Sequence, residues 1–284
     1  MRSSSLAMFG AASLLLVSAS GCRIEAHSQT AFEDKTQPAK VSASAWAGQP
    51  ITIENGGINP LGGTGGVEVK VDVNATKITT EATFSASADD DKRADADLSI
   101  RDALATWVIE ESANVITVKC GHGQSHGTSA QAASGCKILR VTIPPGTALQ
   151  PHNLTVGNGN GSIRVGLAEA GGVAFVKTLT VDNNGLGEVN VRANPVKDAR
   201  LVITSEREAQ VSLPTAFSAA KVLFTFTDEK EPAKVLARTR VPGFSGMVSG
   251  SAYPVAGATA DAAAELNVTS KGPFSDDTIT VTSF

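Results

Sequence analysis

Two cysteines and two histidines in one short stretch are the residues of this chain best suited to chemistry. Cys120 and His122 open the stretch, His126 follows, and Cys136 closes it, with mainly Gly, Ser and Ala between them. Thiolate and imidazole groups together can hold zinc or copper. The two cysteines can instead form a disulfide that closes the base of a flexible loop. No carboxylate within the stretch would orient the histidines, so the disulfide is favoured over a metal site.

The third cysteine, Cys22, stands at the end of an export pattern. A weakly basic head precedes an apolar run over residues 6–17, and small residues at 19–21 lead into Cys22. About a dozen apolar residues are too few for a membrane-spanning helix, which needs roughly 20, and are typical of a removable signal. The order resembles a bacterial lipoprotein signal peptide with its lipobox. That resemblance implies that residues 1–21 are cut off and that Cys22 carries the lipid, palmitate included.

The lipoprotein resemblance predicts where the chain works. It implies a bacterial cell-envelope protein held to a membrane by the acyl chains on Cys22, since more than one chain makes such an anchor stable. Arg23 follows the cysteine, where an aspartate is the usual signal for inner-membrane retention, so we expect the outer membrane. The oxidising compartment also favours a disulfide between Cys120 and Cys136.

Composition predicts an all-β domain behind a tether. The net charge is −4, and no basic face suggests nucleic acid. Residues 22–47 have little periodicity, which predicts a mostly disordered tether after the lipidated cysteine, with a first strand hidden in 40–45 as the alternative. Residues 48–284 are large enough for a single domain rich in strand and turn residues. The one short helix is expected at 97–105.

Short alternating apolar runs separated by Gly and Asn turns repeat along residues 48–284, a pattern typical of half-buried strands. Leu154, Leu179 and Leu201 begin successive runs at intervals of about 22 to 25 residues, and a period of this length indicates a solenoid in which each coil stacks on its neighbours. The sequence therefore predicts a β-solenoid of stacked short strands. A β-sandwich with evenly spaced hairpins is the alternative.

Several of these runs are similar to the bacterial "putative adhesin" family, a DUF4097-like envelope domain with a β-solenoid fold. The similarity lies in strands that lead into Gly-Gly, Pro-Pro-Gly or Gly/Asn turns, namely residues 51–58, 139–146, 154–165, 211–214 and 277–281. The resemblance implies the same fold over 48–284 and an envelope location. It implies no catalytic residues and no cofactor.

Other polar clusters give weaker indications of chemistry. The aspartates at 89, 90, 91, 95 and 97 lack the glycine turn and terminal glutamate of a calcium loop, so they predict a solvated loop. Ser245 lacks the last glycine of a nucleophile elbow, and no carboxylate pair suggests acid and base. A hydrolase or lyase would need residues of the segment 228–264, although no spacing there requires it.

Three hypotheses about function follow. The first is a non-enzymatic envelope lipoprotein that acts as a surface or periplasmic binding, adhesion or structural module, with a polysaccharide or another envelope protein as its partner. The second is a periplasmic metal-handling or redox protein that uses Cys120, His122, His126 and Cys136. The third is the hydrolase or lyase just described, on a β-solenoid. We prefer the first, because no catalytic residue set is recognisable.

Overall fold

The structure is a computed structural model, and it describes residues 29–33, 37–59, 66–89, 93–124, 126, 134–159, 161–168, 170–214, 217, 219–226, 236–239, 253–254, 264–271 and 278–284. The export pattern and Cys22 lie outside the described residues. The described chain is nearly all-β, with 19 strands and one helix, which confirms the all-β prediction. In this part of the chain no helix is long and apolar enough to cross a lipid bilayer.

Strands occupy almost every regular segment of the described chain. The helix, α1, spans Arg93–Ala105. The strands up to the helix are β1 (Gln29–Glu33), β2 (Lys40–Val41), β3 (Ile51–Asn55), β4 (Ile58–Asn59), β5 (Gly66–Val71) and β6 (Thr79–Asp89). Those after it are β7 (Val108–Glu111), β8 (Ile116–Cys120), β9 (Ser134–Ile143), β10 (His152–Asn158), β11 (Ser162–Val165), β12 (Val173–Asn183), β13 (Val189–Ser205), β14 (Ala209–Leu213), β15 (Ala219–Phe226), β16 (Leu236–Thr239), β17 (Tyr253–Pro254), β18 (Ala264–Ser270) and β19 (Thr278–Ser283).

Parallel pairing builds two sheets from repeated two-strand units. The first sheet runs in the order β9, β5, β11, β13, β14, β19, β16. The second runs β8, β3, β10, β12, β13, β18, β15. Strand β13 belongs to both sheets, and the joined sheet nearly closes on itself. A sandwich of hairpins would pair successive strands antiparallel. Here each antiparallel ladder of the described chain includes one of the strands β1, β2, β4, β6, β7 and β17, and the ladders between the repeated units are parallel.

Aliphatic side chains form continuous columns between the sheets. Leu154 lies opposite Ile51 on one side and Leu179 on the other, and Leu179 lies opposite Leu201, which in turn lies opposite Leu266. All five are buried. The sequence interval between the leucines is therefore the length of one unit, and burying each side chain against its equivalents stabilises the stack by roughly 1.5 to 3 kcal/mol per residue.

A buried polar column runs beside these aliphatic columns, at the last residue of five second-sheet strands. Its members share one register and are almost fully buried: Asn55, Asn158, Asn183, Ser205 and Ser270. The amide of Asn183 donates to the carbonyls of Gly161 and Gly187 at 3.0 and 2.8 Å. These side chains satisfy backbone groups of the turns that lead to the first sheet, which explains the Gly and Asn content of the turns.

The order of units at each end of the stack differs from their order in the sequence. The unit of β8 and β9 lies outside the earlier unit of β3 and β5. At the other end, the unit of β15 and β16 lies outside the last unit, β18 and β19. Helix α1 begins at Arg93, earlier than the expected 97, and packs against β6 and β9.

The segment that the sequence predicts as a tether is partly bound to the rest of the chain. Strands β1 and β2 both pair antiparallel with β6, and Trp46 is buried. The carboxylate of Glu111 accepts hydrogen bonds from the backbone N–H groups of Ser44 and Ala43, which hold the pKa of Glu111 below its usual value. The expectation of disorder up to residue 47 therefore differs from the structure, because the open edge of β6 offers hydrogen-bonding partners to this segment.

Candidate functional site

The two cysteines of the stretch singled out by the sequence are joined to each other in the structure. Cys120 ends β8 and Cys136 lies in β9, with their Sγ atoms at the disulfide distance of 2.05 Å and their Cα atoms 5.8 Å apart. Both side chains are buried. The backbone N–H of Cys136 also donates to the carbonyl of Gly121 at 3.1 Å. In this arrangement neither sulfur is available as a thiolate ligand.

The residues after Cys120 dock onto helix α1. The N–H of Gly121 donates to the hydroxyl of Thr106 at 2.9 Å, and the N–H of His126 donates to the hydroxyl of Ser99 at 2.8 Å. The ring Nε2 of His126 lies 2.6 Å from Oδ2 of Asp102. The expectation that no carboxylate orients these histidines is therefore wrong for His126. The partner is 24 positions away in the sequence and comes from the helix, so a search within the stretch missed it.

Gly123 permits this close docking. A Cβ atom built on Gly123 would lie 2.3 Å from the backbone nitrogen of Ala103 and 2.4 Å from the carbonyl carbon of Asp102. Backbone atoms of a helix cannot move aside as a flexible side chain could, so a larger residue at this position would separate the loop from the helix.

The proposed four-ligand metal set is not assembled in the structure. His122 lies beside Gly56, just after the end of β3. A Cβ built on that glycine would lie 3.6 Å from His122 Nδ1. His126 is held against α1 instead. Across the described parts of the chain, no group of three or more His, Cys, Asp or Glu side chains could hold a metal ion.

The other candidates named from the sequence also form no ligand cage that can be described. Asp95 and Asp97 lie on α1, where Asp97 pairs with Arg93 at 3.2 Å. Asp90 and Asp91 lie outside the described residues, as do Ser245 and most of the segment 228–264.

Polar side chains of the described strands form columns on the outer faces of the sheets. On the second sheet, four threonines of neighbouring strands lie directly opposite one another: Thr117, Thr52, Thr155 and Thr180. Their side chains are exposed or half-buried. Because neighbouring strands are about 4.8 Å apart, these hydroxyl groups repeat at that spacing along the stack. The sequence interval relates Thr155 to Thr180 but does not predict that Thr117 lies outside Thr52, because β8 pairs with β3 and not with β10.

The outer face of the first sheet has a corresponding column with more charge. Five side chains of neighbouring strands share one register: Arg140, Glu68, Arg164, Asn190 and Gln210. Arg140 and Glu68 form an ion pair at 3.2 Å. Guanidinium and amide groups offer several hydrogen-bond donors and acceptors each, so this face can also bind a polar ligand that extends across strands.

No family model matches the chain, and no curated protein matches it. A solved structure of a putative cell adhesion protein from Clostridium sporogenes ATCC 15579 is similar over 88% of this chain and 100% of that chain, at 13% identity and a TM-score of 0.45. A likeness at this TM-score does not establish a shared fold.

Proposed function

We propose that this chain is a non-enzymatic lipoprotein of the bacterial cell envelope, anchored by lipid on Cys22, whose stacked strands form a β-solenoid that binds an extended envelope ligand. The parallel register between successive units supports the solenoid. Buried equivalents such as Ile51, Leu154 and Leu179 lie directly opposite one another, and this is how a solenoid unit buries an apolar face that it cannot bury alone.

The observation that supports binding most strongly is the straight threonine column on the second sheet. Four hydroxyl groups at a constant spacing suit a ligand that repeats, such as a polysaccharide, peptidoglycan or an extended segment of another envelope protein. A single hydroxyl contact is weak, and the net contribution of one hydrogen bond is about 1 kcal/mol. Several contacts along one chain act together, since each raises the effective concentration for the next.

Binding can be tested with the purified protein and isolated envelope fractions. We expect the protein to sediment with peptidoglycan or to retain an envelope polysaccharide, and we expect the combined variant Thr52→Ala, Thr155→Ala and Thr180→Ala to bind much less. The matched control is Asn190→Ala with Gln210→Ala on the other sheet. If the control variant alone loses binding, the ligand occupies the first sheet. Binding to no envelope component would refute the binding role.

The metal-handling or redox alternative has a separate test. Thiol titration of the unfolded, unreduced protein should find no free thiol from Cys120 and Cys136, because the two sulfurs are paired. Two reactive thiols together with a bound transition metal would replace the binding proposal with the metal hypothesis. The third hypothesis, an enzyme that uses the segment 228–264, would require turnover of an envelope polysaccharide by the purified protein.

A further inference from the structure

Exposed apolar side chains concentrate at one corner of the stack. Among the described residues, seven large apolar side chains are exposed: Val41, Val73, Leu98, Leu149, Leu167, Phe175 and Leu186. Four of them lie at the end of the stack where β9, β5 and β11 finish and β12 begins: Val73, Leu149, Leu167 and Phe175. We refer to these four as the apolar row.

The topology brings the members of the apolar row to the same end of the stack. Strands β9, β5 and β11 are parallel neighbours, so their carboxyl ends meet at the same edge of the sheet. Leu149, Val73 and Leu167 follow these three ends in turn. Phe175 lies near the start of β12 in the next unit. The connection after β9 passes close to the residue before Phe175. A Cβ built on Gly146 in that connection would lie 3.2 Å from the carbonyl oxygen of Ala174.

Phe175 has an unusual backbone conformation for its type. Its φ angle is +56°, in the left-handed region that a bulky side chain rarely adopts. The side chain is nevertheless 41% exposed, and Leu149 is 95% exposed. Strain of this kind costs free energy and is concentrated at functional sites. Here it occurs at an exposed aromatic residue of the apolar row.

The size of the apolar row argues against a second protein chain as its partner. Four partly exposed side chains offer roughly 500 Å² of surface. A stable protein interface buries about 800 Å² on each partner. A patch of this size binds weakly from solution, but it can bind a surface at which the protein is already held.

We infer that the apolar row contacts the lipid bilayer to which the chain is anchored, an inference that rests on the proposed lipidation of Cys22. The position of β1 supports it. Strand β1 begins at Gln29, so at most seven residue steps separate the anchor from the paired chain, a reach of about 24 Å when fully extended. The folded part is thus kept close to the membrane surface.

The same distances restrict how the protein lies on the membrane. Gln29 pairs with Asp89 at one end of β6, whereas Thr79 at the other end lies opposite Thr142, next to the apolar row. The ten residue steps of β6 between them span about 34 Å. When the apolar row touches the bilayer, the tether of about 24 Å must cover the height of the other end of β6 above it. The row and the anchor therefore reach one bilayer only if the strands are inclined by no more than about 45° to its plane.

The charges next to the apolar row indicate which lipid to use. Lys177, two residues after Phe175, is paired with Asp198, and Asp72 precedes Val73. Lys70 and Lys77 add positive charge on either side of Val73, so a neutral lipid is needed to measure apolar burial apart from attraction to anionic lipid. Vesicles of phosphatidylcholine are therefore a sufficient probe.

The test uses the full lipidated chain, purified from membranes and reconstituted into phosphatidylcholine vesicles with brominated acyl chains. Leu149→Trp and Val73→Trp place a reporter in the apolar row, and Leu186→Trp places one at an exposed position between β12 and β13 as the matched control. The signal of the buried Trp46 and Trp107 is measured in the unsubstituted chain and subtracted. We expect the two row reporters to lose most of their emission and the control to keep it.

The outcomes separate this inference from the proposed anchor. If the chain does not float with the vesicles, the lipid anchor fails and the inference fails with it. If the chain floats but row and control reporters are quenched alike, only the membrane contact is refuted. If the row reporters are not quenched by brominated lipid, and their protection from aqueous acrylamide increases with protein concentration, a second copy of the chain covers the row instead of the bilayer. Phe175→Asn, which tolerates the left-handed backbone, should reduce quenching of the Leu149→Trp reporter without lowering thermal stability.

Discussion

Replacing Asn183 by alanine should destabilise the protein more than any substitution of an exposed asparagine. Asn183 is fully buried in the polar column. Its amide nitrogen donates to the carbonyls of Gly161 and Gly187. Its oxygen accepts from the N–H of Gly185 and from the side chain of Asn158, each at 3.2 Å. Alanine would remove all four hydrogen bonds and leave the four partners in a buried turn without this side chain.

The size of the effect follows from these contacts. Each hydrogen bond contributes about 0.5 to 1.5 kcal/mol net, so four of them give a loss of roughly 4 kcal/mol in the free energy of unfolding. For a protein of this length, that loss corresponds to a fall in melting temperature of roughly 8 to 16 °C. Asn183→Ser should be less harmful, because Ser205 occupies the next position of the column and bonds to its own turn through Glu208 and Arg207.

The assay is urea unfolding followed by far-ultraviolet circular dichroism. The expected result is a lower midpoint with an unchanged slope, since the folded and unfolded surfaces stay the same. Asn190→Ala is the control. Its side chain lies on the outer face and donates to Glu188 at 3.1 Å, so it should change the free energy by less than about 0.5 kcal/mol. If Asn183→Ala and Asn190→Ala shift the midpoint equally, the buried polar column does not hold the turns.

Three further predictions concern other parts of the molecule. Burial lowers the pKa of His152 to about 4, so between pH 6.5 and 4 the unfolded chain binds a proton that the folded chain does not. Stability should fall by about 3 kcal/mol as the pH drops through that range, and His152→Leu should abolish this dependence in pH-resolved urea unfolding. Gly123→Ala should speed amide hydrogen exchange in the loop docked on α1, because the added Cβ would clash with the helix backbone. Gly171→Ala should not change exchange there, because a Cβ on Gly171 has no atom within 4 Å. The double variant Cys120→Ser with Cys136→Ser should lower the free energy of unfolding by roughly 3 kcal/mol, because the cross-link no longer restricts the unfolded chain. Reduction of the unsubstituted protein should give the same loss. No change in either case would contradict the pairing.

The repeated units could be predicted from the sequence because the information is local. The interval between Leu154, Leu179 and Leu201 corresponds directly to their parallel register, since each unit buries the same face. The Gly and Asn turns were also predictable, because positive φ and side-chain hydrogen bonds to the backbone have few alternatives. The sequence predicts the helix from residue 97, whereas in the structure its first turn begins at Arg93.

The order of units and the contacts of the cysteine loop could not be predicted in this way. The edges of similar strands offer the same backbone groups, so nothing in residues 51–71 indicates that β8 and β9 lie outside them. Asp102 and His126 are 24 positions apart and meet because α1 packs on β9. The tether was overestimated because β1 and β2 have no strong apolar pattern of their own and are held by the edge of β6.

These contacts also change the interpretation of the N-terminal segment. A long disordered tether would let the folded part move far from the membrane. Pairing of β1 with β6 would hold the folded part within about 24 Å of the proposed lipid anchor on Cys22. With that anchor, the proposed binding face would meet ligands close to the membrane surface, which suits peptidoglycan or a neighbouring envelope protein as the partner.

The measurement that tests the central proposal most directly is the intact mass of the protein extracted from bacterial membranes, with fragmentation of its first residues. The account predicts a chain that begins at Cys22, lacks residues 1–21 and carries acyl chains on the sulfur and the amino group of that cysteine. A chain that begins elsewhere, or that begins at Cys22 without lipid, would contradict the envelope anchor.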